Sequence, residues 1–406
     1  MSLVLLFGVT LLAAVLVSAR AERTVLSTNV LFLGVGFVVG PGVLGWVRLE
    51  HGSPLMETFG RLALFAILFV EALQLPVRHL RDNWRLPGRA LLLGLPLTVL
   101  GVALLARWLF GLAWAECFLL GAILSPTDPV FAAAILAHEA VPERLRRLLS
   151  IESGINDGLA LPLVMVLLEL AGEEPVTPLK LLLPVGTGIA LGVALAWGYF
   201  RLEGSRFFRA RESYRALGGL GLAITLYGLY QLWHINEFLA AFAAGVTLAS
   251  LGSDTSRAIA ALGEPLAELL KLAAVLLFGT LITPELLSGV GWKGWLFAAL
   301  TLLVARPAAL LPSFAGSGLT RREWFAAAWF GPKGFASVLY AMLVLGAALP
   351  RGTSLFHLVA VTTALSMVAH SSTDVLVARL FRKEEARRGS GHSRHEPPGR
   401  QGPGDE

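Results

Sequence analysis

The chain carries thirteen apolar runs, each about as long as one bilayer crossing, and few folds can accommodate them. A spanning helix takes about 20 mostly apolar residues. The runs fall at 2–19, 25–47, 59–75, 88–109, 112–137, 146–171, 178–200, 216–233, 236–251, 263–283, 293–313, 323–349 and 355–380. In lipid every backbone N–H and C=O needs a partner inside the protein, so runs of this length imply helices. They lack the short alternation of an outer-membrane barrel. Hydrophobic residues make up 55% of the 406, and charged residues 15%; a soluble domain carries roughly 25% charged residues. The expected class is therefore an all-α polytopic membrane protein lodged in a lipid bilayer. The net charge of +5 is spread over run ends and forms no basic face for nucleic acid. The lone Cys117 and eight scattered histidines offer no metal-ligand spacing, and no cofactor is expected.

Orientation follows from Lys and Arg. With the N-terminus outside and the C-terminus cytoplasmic, 24 of the 33 basic residues fall on inner segments, 5 fall on outer ones, and Arg61, Lys271, Arg306 and Lys333 lie within runs. The first run is expected to stay as a span and not be cleaved, because its positive charges follow the apolar stretch and do not precede it. The localisation expected is a plasma membrane or cell inner membrane. The polar stretch 381–406 is expected to be a disordered cytoplasmic tail.

Ionisable groups within spans are costly and invite a functional explanation. Glu71, Asp128, Glu152 and Asp157 lie well inside runs. Glu116, Glu169, Glu237 and Glu264 stand near run ends and are expected to reach headgroups, and Glu268 is expected to pair locally with Lys271. Asp128 sits in Ser125-Pro126-Thr127-Asp128-Pro129. Two prolines remove two amide donors there, so the helix should open and free carbonyls. Freed carbonyls beside a carboxylate suit a hard cation, although a capped proline kink would explain the motif alone. The next run contains Glu152-Ser153-Gly154-Ile155-Asn156-Asp157-Gly158. At about 100° per residue, Glu152, Asn156, Ser153 and Asp157 share one side of a helix. That side must face protein or a cavity.

A second break, Phe330-Gly331-Pro332-Lys333-Gly334, falls in the twelfth run as the first falls in the fifth. Lys333 is expected mainly to neutralise freed carbonyls and half-helix ends. Paired interrupted helices in matching positions of two inverted halves point to a transporter site. The expected organisation is a first inverted six-helix repeat (1–171), a linker helix with a basic cytoplasmic loop (172–215) and a second inverted repeat (216–380), with the two broken helices crossing.

Ser-Pro-Thr-Asp-Pro-Val at 125–130, followed by Glu-Ser-Gly-Ile-Asn-Asp-Gly at 152–158, resembles the monovalent cation:proton antiporter family 1, the prokaryotic sodium/proton exchangers. Phe69-Val70-Glu71, Phe238–Gly245, Ala305-Arg306-Pro307 and Gly331–Gly334 are further matches. The resemblance implies a thirteen-helix inverted-repeat fold and a homodimer. It implies that Asp157 binds the transported Na⁺ (or Li⁺) or a proton. Ser153 and the Thr127 carbonyl would add oxygen ligands, with Asp128 and Glu71 assisting. It implies a structural Glu152–Arg306 pair, and it takes Asn156 before Asp157 as the mark of electroneutral members. Lys333 departs from the Arg of many members. No cofactor and no enzymatic activity are implied. The expected function is 1:1 exchange of Na⁺ for H⁺ by alternating access, the two ions competing for Asp157. The alternatives are K⁺/H⁺ exchange on the same fold and, less favoured, a cation channel. An intramembrane hydrolase lacks its motifs, and His370 with Asp374 is expected to be structural.

Overall fold

The computed structural model describes residues 3–21, 28–47, 54–75, 84–128, 141–172, 177–205, 207–208, 211–233, 235–251, 254–347 and 349–392, and their regular structure is entirely helical. In chain order the helices are α1 (Leu3–Ala21), α2 (Thr28–Val39), α3 (Pro54–Gln74), α4 (Arg85–Phe110), α5 (Trp114–Leu124), α6 (Glu143–Ala171), α7 (Pro178–Glu203) and α8 (Glu212–Trp233). They continue as α9 (Glu237–Leu251), α10 (Asp254–Leu281), α11 (Pro284–Gly289), α12 (Gly291–Ser313), α13 (Arg321–Trp329), α14 (Phe335–Gly346) and α15 (Gly352–His392). Six of these are long and apolar enough to cross a membrane: α4, α6, α7, α8, α12 and α15. Large apolar side chains such as Leu16, Trp108, Leu182 and Trp292 point outward, as a lipid-facing surface requires and a water-facing one does not.

Each apolar run holds a helix, but the limits move where local chemistry intervenes. α2 stops at Val39, and a turn through Gly45, whose φ is +63°, follows it. α5 ends at Leu124, and residues 129–140, including Pro129, lie outside the described residues. The twelfth run splits into α13 and α14. The last helix passes the expected limit at 380 and continues to His392, because Arg, Lys, Glu and Ala dominate that stretch and favour helix. Residues 393–406 of the expected tail lie outside the described residues.

The helices pack as two groups. One joins α2, α3, α7, α8, α9 and α10, with α9 seated on α3 and α7, and α10 on α2 and α3. The other joins α4, α5, α6, α12, α13, α14 and α15. Small residues let backbones approach closely, as where Gly36 of α2 meets Gly279 of α10. The groups meet along a seam where α6 and α14 pack on α3, α9 and α10.

α4 and α12 each contain one π-helical turn, Ala90–Gly94 and Thr301–Ala305, and the two helices pack together there. Each turn is followed two residues later by a proline, Pro96 or Pro307, which lacks the amide that a regular ladder would use. In α12 the residue between is Arg306, which enters the site directly after its π turn.

Candidate functional site

The site grows from two interrupted helices that complete each other. After α5 the chain leaves the helical conformation through Thr127 and Asp128, and between α13 and α14 it is non-helical from Phe330 to Gly334. The Asp128 amide donates to the Pro332 carbonyl at 2.9 Å, and the Phe335 amide, first in α14, donates to Asp128 Oδ2 at 3.2 Å. Asp128 thus stands at the N-terminus of the opposite broken helix, where a carboxylate satisfies an orphan donor and meets the positive helix end. Lys333 Nζ donates to the carbonyls of Ser125 at 3.2 Å and Pro126 at 3.4 Å, and its own amide donates to Ser366 Oγ of α15 at 2.7 Å. Ser337 Oγ donates to the Ile123 carbonyl at 2.8 Å. Two glycines permit this approach. A Cβ on Gly334 would strike the Asp128 carboxylate, and one on Gly331 would strike the Arg306 guanidinium.

α6 lies against this crossing. Its polar residues divide between two tasks. Glu152 takes Arg306 in a forked pair, with Nη1 to Oε1 at 2.7 Å and Nη2 to Oε2 at 3.1 Å; Nη2 also donates to the Ala327 carbonyl of α13 at 3.2 Å. Both side chains are buried. One turn along, Thr127 Oγ1 lies 3.2 Å from Ser153 Oγ and accepts from Asn156 Nδ2 at 2.7 Å. Tyr340 Oη of α14 donates to the main-chain carbonyl of Asp157 at 3.1 Å, fixing the backbone there without using the side chain.

Asp157 is only 3% exposed, and its Oδ1 has no hydrogen-bond partner among the described residues; the same holds for the Oδ1 of the neighbouring Asn156. Two buried acceptor oxygens on consecutive residues, without a donor, call for an explanation. Glu71, Asp128, Lys271 and Lys333 are within electrostatic reach of Asp157. Gly158 carries the Phe242 ring of α9 directly against it, so α6 and α9 touch beside the carboxylate. Towards the other end of the seam a cavity of about 490 Å³ opens between α3, α6 and α10, with Glu71, Gln74, Ser150, Ser153, Glu268 and Lys271 on its wall. It reaches Ser153, one helical turn from Asp157.

Several expectations are corrected. Lys271 Nζ donates to Glu71 Oε1 at 2.8 Å and not to the nearby Glu268, which is exposed on the cavity wall while the lysine turns inward. Glu71 is therefore the ion-pair partner of Lys271 in this arrangement. Glu237 does not reach for a membrane surface. It is buried and accepts from Arg61 Nε at 3.1 Å and Nη2 at 2.5 Å, with Arg61 also on Tyr230. Glu116 accepts from the Ala113 amide at 2.9 Å and Arg351 Nη1 at 3.1 Å. His370 lies 2.9 Å from the Trp329 carbonyl at the end of α13, through Nε2, and the Asp374 side chain is outside the described residues. Tyr340 and Ser366 had no place in the expected site; Ser337 and Tyr340, three apart on an otherwise apolar helix, were the legible hint. No group of three His, Cys, Asp or Glu side chains that could hold a metal ion occurs among the described residues. The groups gathered here offer carboxylate, hydroxyl, amide and carbonyl oxygens, the donor types a hard ion prefers.

The sequence matches the family described as "Sodium/hydrogen exchanger, transmembrane" over residues 8–379. It is similar to a K(+)/H(+) antiporter NhaP of Alkalimonas amylolytica, 24% identical over 94% of this chain and 67% of that one. It is also similar to a K(+)/H(+) antiporter NhaP2 of Shewanella baltica, 26% identical over 91% of this chain and 65% of that one. The chain thus spans about two thirds of the length of these relatives. Its fold is that of the sodium proton antiporter MjNhaP1 from Methanocaldococcus jannaschii, with a TM-score of 0.77 at 21% identity, covering 93% of this chain and 97% of that one.

Proposed function

The chain belongs to the transmembrane sodium/hydrogen exchanger family, and on that premise we propose that it is a secondary antiporter in which a monovalent cation and a proton compete for Asp157. The observation that carries this is the buried, unpartnered Oδ1 of Asp157 beside that of Asn156, one turn from a cavity. Ser153, Thr127 and Asn156 supply oxygens around it, Asp128 assists while it caps α14, and Lys333 balances the carbonyls freed at the crossing. A cation takes the carboxylate and a proton takes the carboxylic acid, so the two exclude one another. If the α6 side of the seam moves only with Asp157 occupied, exchange is obligatory. Asn156 does not titrate, so each cation is exchanged for one proton and the cycle is electroneutral.

In sequence, the cavity-lining residues Leu75 and Ser150 stand a few positions from the arginine-rich stretches 78–89 and 144–147. By the positive-inside rule those segments are cytoplasmic, which makes this an inward-open arrangement. The π turns and paired breaks recur at matching places, which supports two inverted repeats (1–171 and 216–380) within thirteen crossings. A homodimer in a cell membrane, with the α6–α14 group rocking against the α3–α9–α10 group, completes the proposal. Na⁺, with Li⁺ as its analogue, is the favoured cargo. K⁺ is the second reading, favoured by the names of the two relatives above.

The test is dequenching of a pH-sensitive dye in proteoliposomes, with Na⁺, Li⁺, K⁺ and Ca²⁺ added in turn and the voltage clamped or free. A response to one monovalent ion, insensitive to voltage, is the expected result; no response to any of them would overturn the proposal. Asn156→Asp should add a titrating group and make transport voltage-sensitive. Voltage-insensitive exchange in that variant would remove the stoichiometric argument.

A further inference from the structure

Lys271 is a fixed monovalent cation inside a cavity proposed to conduct monovalent cations. Its ammonium donates to Glu71 Oε1 at 2.8 Å and lies 4.8 Å from the centre of the Phe335 ring. Both side chains are largely buried. The lysine therefore ties α10 to α3 and, through the ring face, to the first residue of α14, whose amide Asp128 caps. The acids within electrostatic reach of this ammonium are Glu71 on α3, Glu268 on α10 itself and Asp128 in the first break. Glu71 alone carries its hydrogen bond. The same cavity reaches Ser153, one helical turn before Asp157.

We infer that Lys271 is a resident counter-cation that holds Glu71 out of the transported ion's coordination shell and thereby sets the affinity of the inner site for its cation. With the ammonium in place, the charge of Glu71 is balanced by a partner that never leaves the chain, and a fixed positive charge on the cavity wall opposes entry of a second one. Without it, the Glu71 carboxylate would face the cavity unpaired, and a cation would find one more charged oxygen donor than it does now. This rests on the antiport function proposed above, and it concerns the apparent affinity and not the existence of exchange.

The test is cation-dependent proton movement in proteoliposomes at alkaline pH, where a released Glu71 is ionised, with half-saturating cation concentration and maximal rate recorded separately. Lys271→Gln should lower half-saturation by about tenfold, equivalent to about 1.4 kcal/mol. Lys271→Arg, which keeps the charge, should stay near wild type. Glu71→Gln, which leaves the ammonium unpaired beside the site, should raise half-saturation, and Glu71→Gln/Lys271→Gln should bring it back towards the wild-type value. Unchanged half-saturation in Lys271→Gln would overturn the inference. Where that variant does not assemble, equal half-saturation in Glu71→Gln and in the double variant would overturn it. Absence of exchange in the wild-type protein would instead strike the antiport proposal.

Discussion

Asp157→Asn should reduce cation-driven proton movement in proteoliposomes to that of protein-free vesicles, while the protein still assembles and unfolds at nearly the wild-type temperature. The two halves of this expectation have separate physical sources. Transport fails because an amide neither takes up the exchanged proton nor offers a cation a full negative charge, and no neighbour replaces it: Glu71 is held by Lys271, and Asp128 caps α14. Structure survives because Tyr340 holds position 157 through its main-chain carbonyl, and Oδ1 has no hydrogen bond to lose among the described residues. Retained exchange would remove Asp157 from its role. Loss of exchange together with loss of fold would mean that the side chain is structural.

Glu152→Gln should have the opposite profile. The Glu152–Arg306 fork is buried and ties α6 to α12, and through the Ala327 carbonyl to α13. Withdrawing two charges from water costs nearly as much as their attraction returns, so the intact pair adds little net stability. Removing one partner strands the other and costs about 3–5 kcal/mol. Thermal unfolding should therefore shift down strongly, with half-saturation for the cation little changed. Glu152→Gln combined with Arg306→Met should recover part of the loss, since no stranded charge remains. A large change in ion affinity with unaltered stability would place Glu152 in the ion site.

What could be read from the sequence was whatever depends on local chemistry. Apolar runs showed where helices lie because lipid leaves the backbone no other solution. Prolines 126 and 332 showed where two of them open. The 3.6-residue period put Glu152, Ser153, Asn156 and Asp157 on one side of α6. What could not be read was partner choice across the fold. Lys271 had an acid three residues away on its own helix and took another 200 residues distant, because the lysine turns inward and Glu268 remains exposed. Glu237 and Glu116 looked like headgroup acids, but Arg61 and Arg351 approach them from distant segments. The π turns were equally hidden: Pro96 and Pro307 mark the fault in the ladder without saying whether the helix kinks, breaks or widens. Asp128 reads in the sequence as a cation-seeking carboxylate beside freed carbonyls, or else as the cap of its own half-helix; its capping of the other broken helix appears only when the two breaks cross.

The central claim is that one carboxyl group holds either a cation or a proton and never both. It is tested most directly by counting the protons released when the cation is added to purified wild-type protein across the neutral pH range, alongside Asp157→Asn. The account predicts that release approaches one proton per cation bound where the acid starts protonated, falls away as pH rises, and is absent from Asp157→Asn. Cation binding without proton release at any pH, or equal release from the variant, would contradict it.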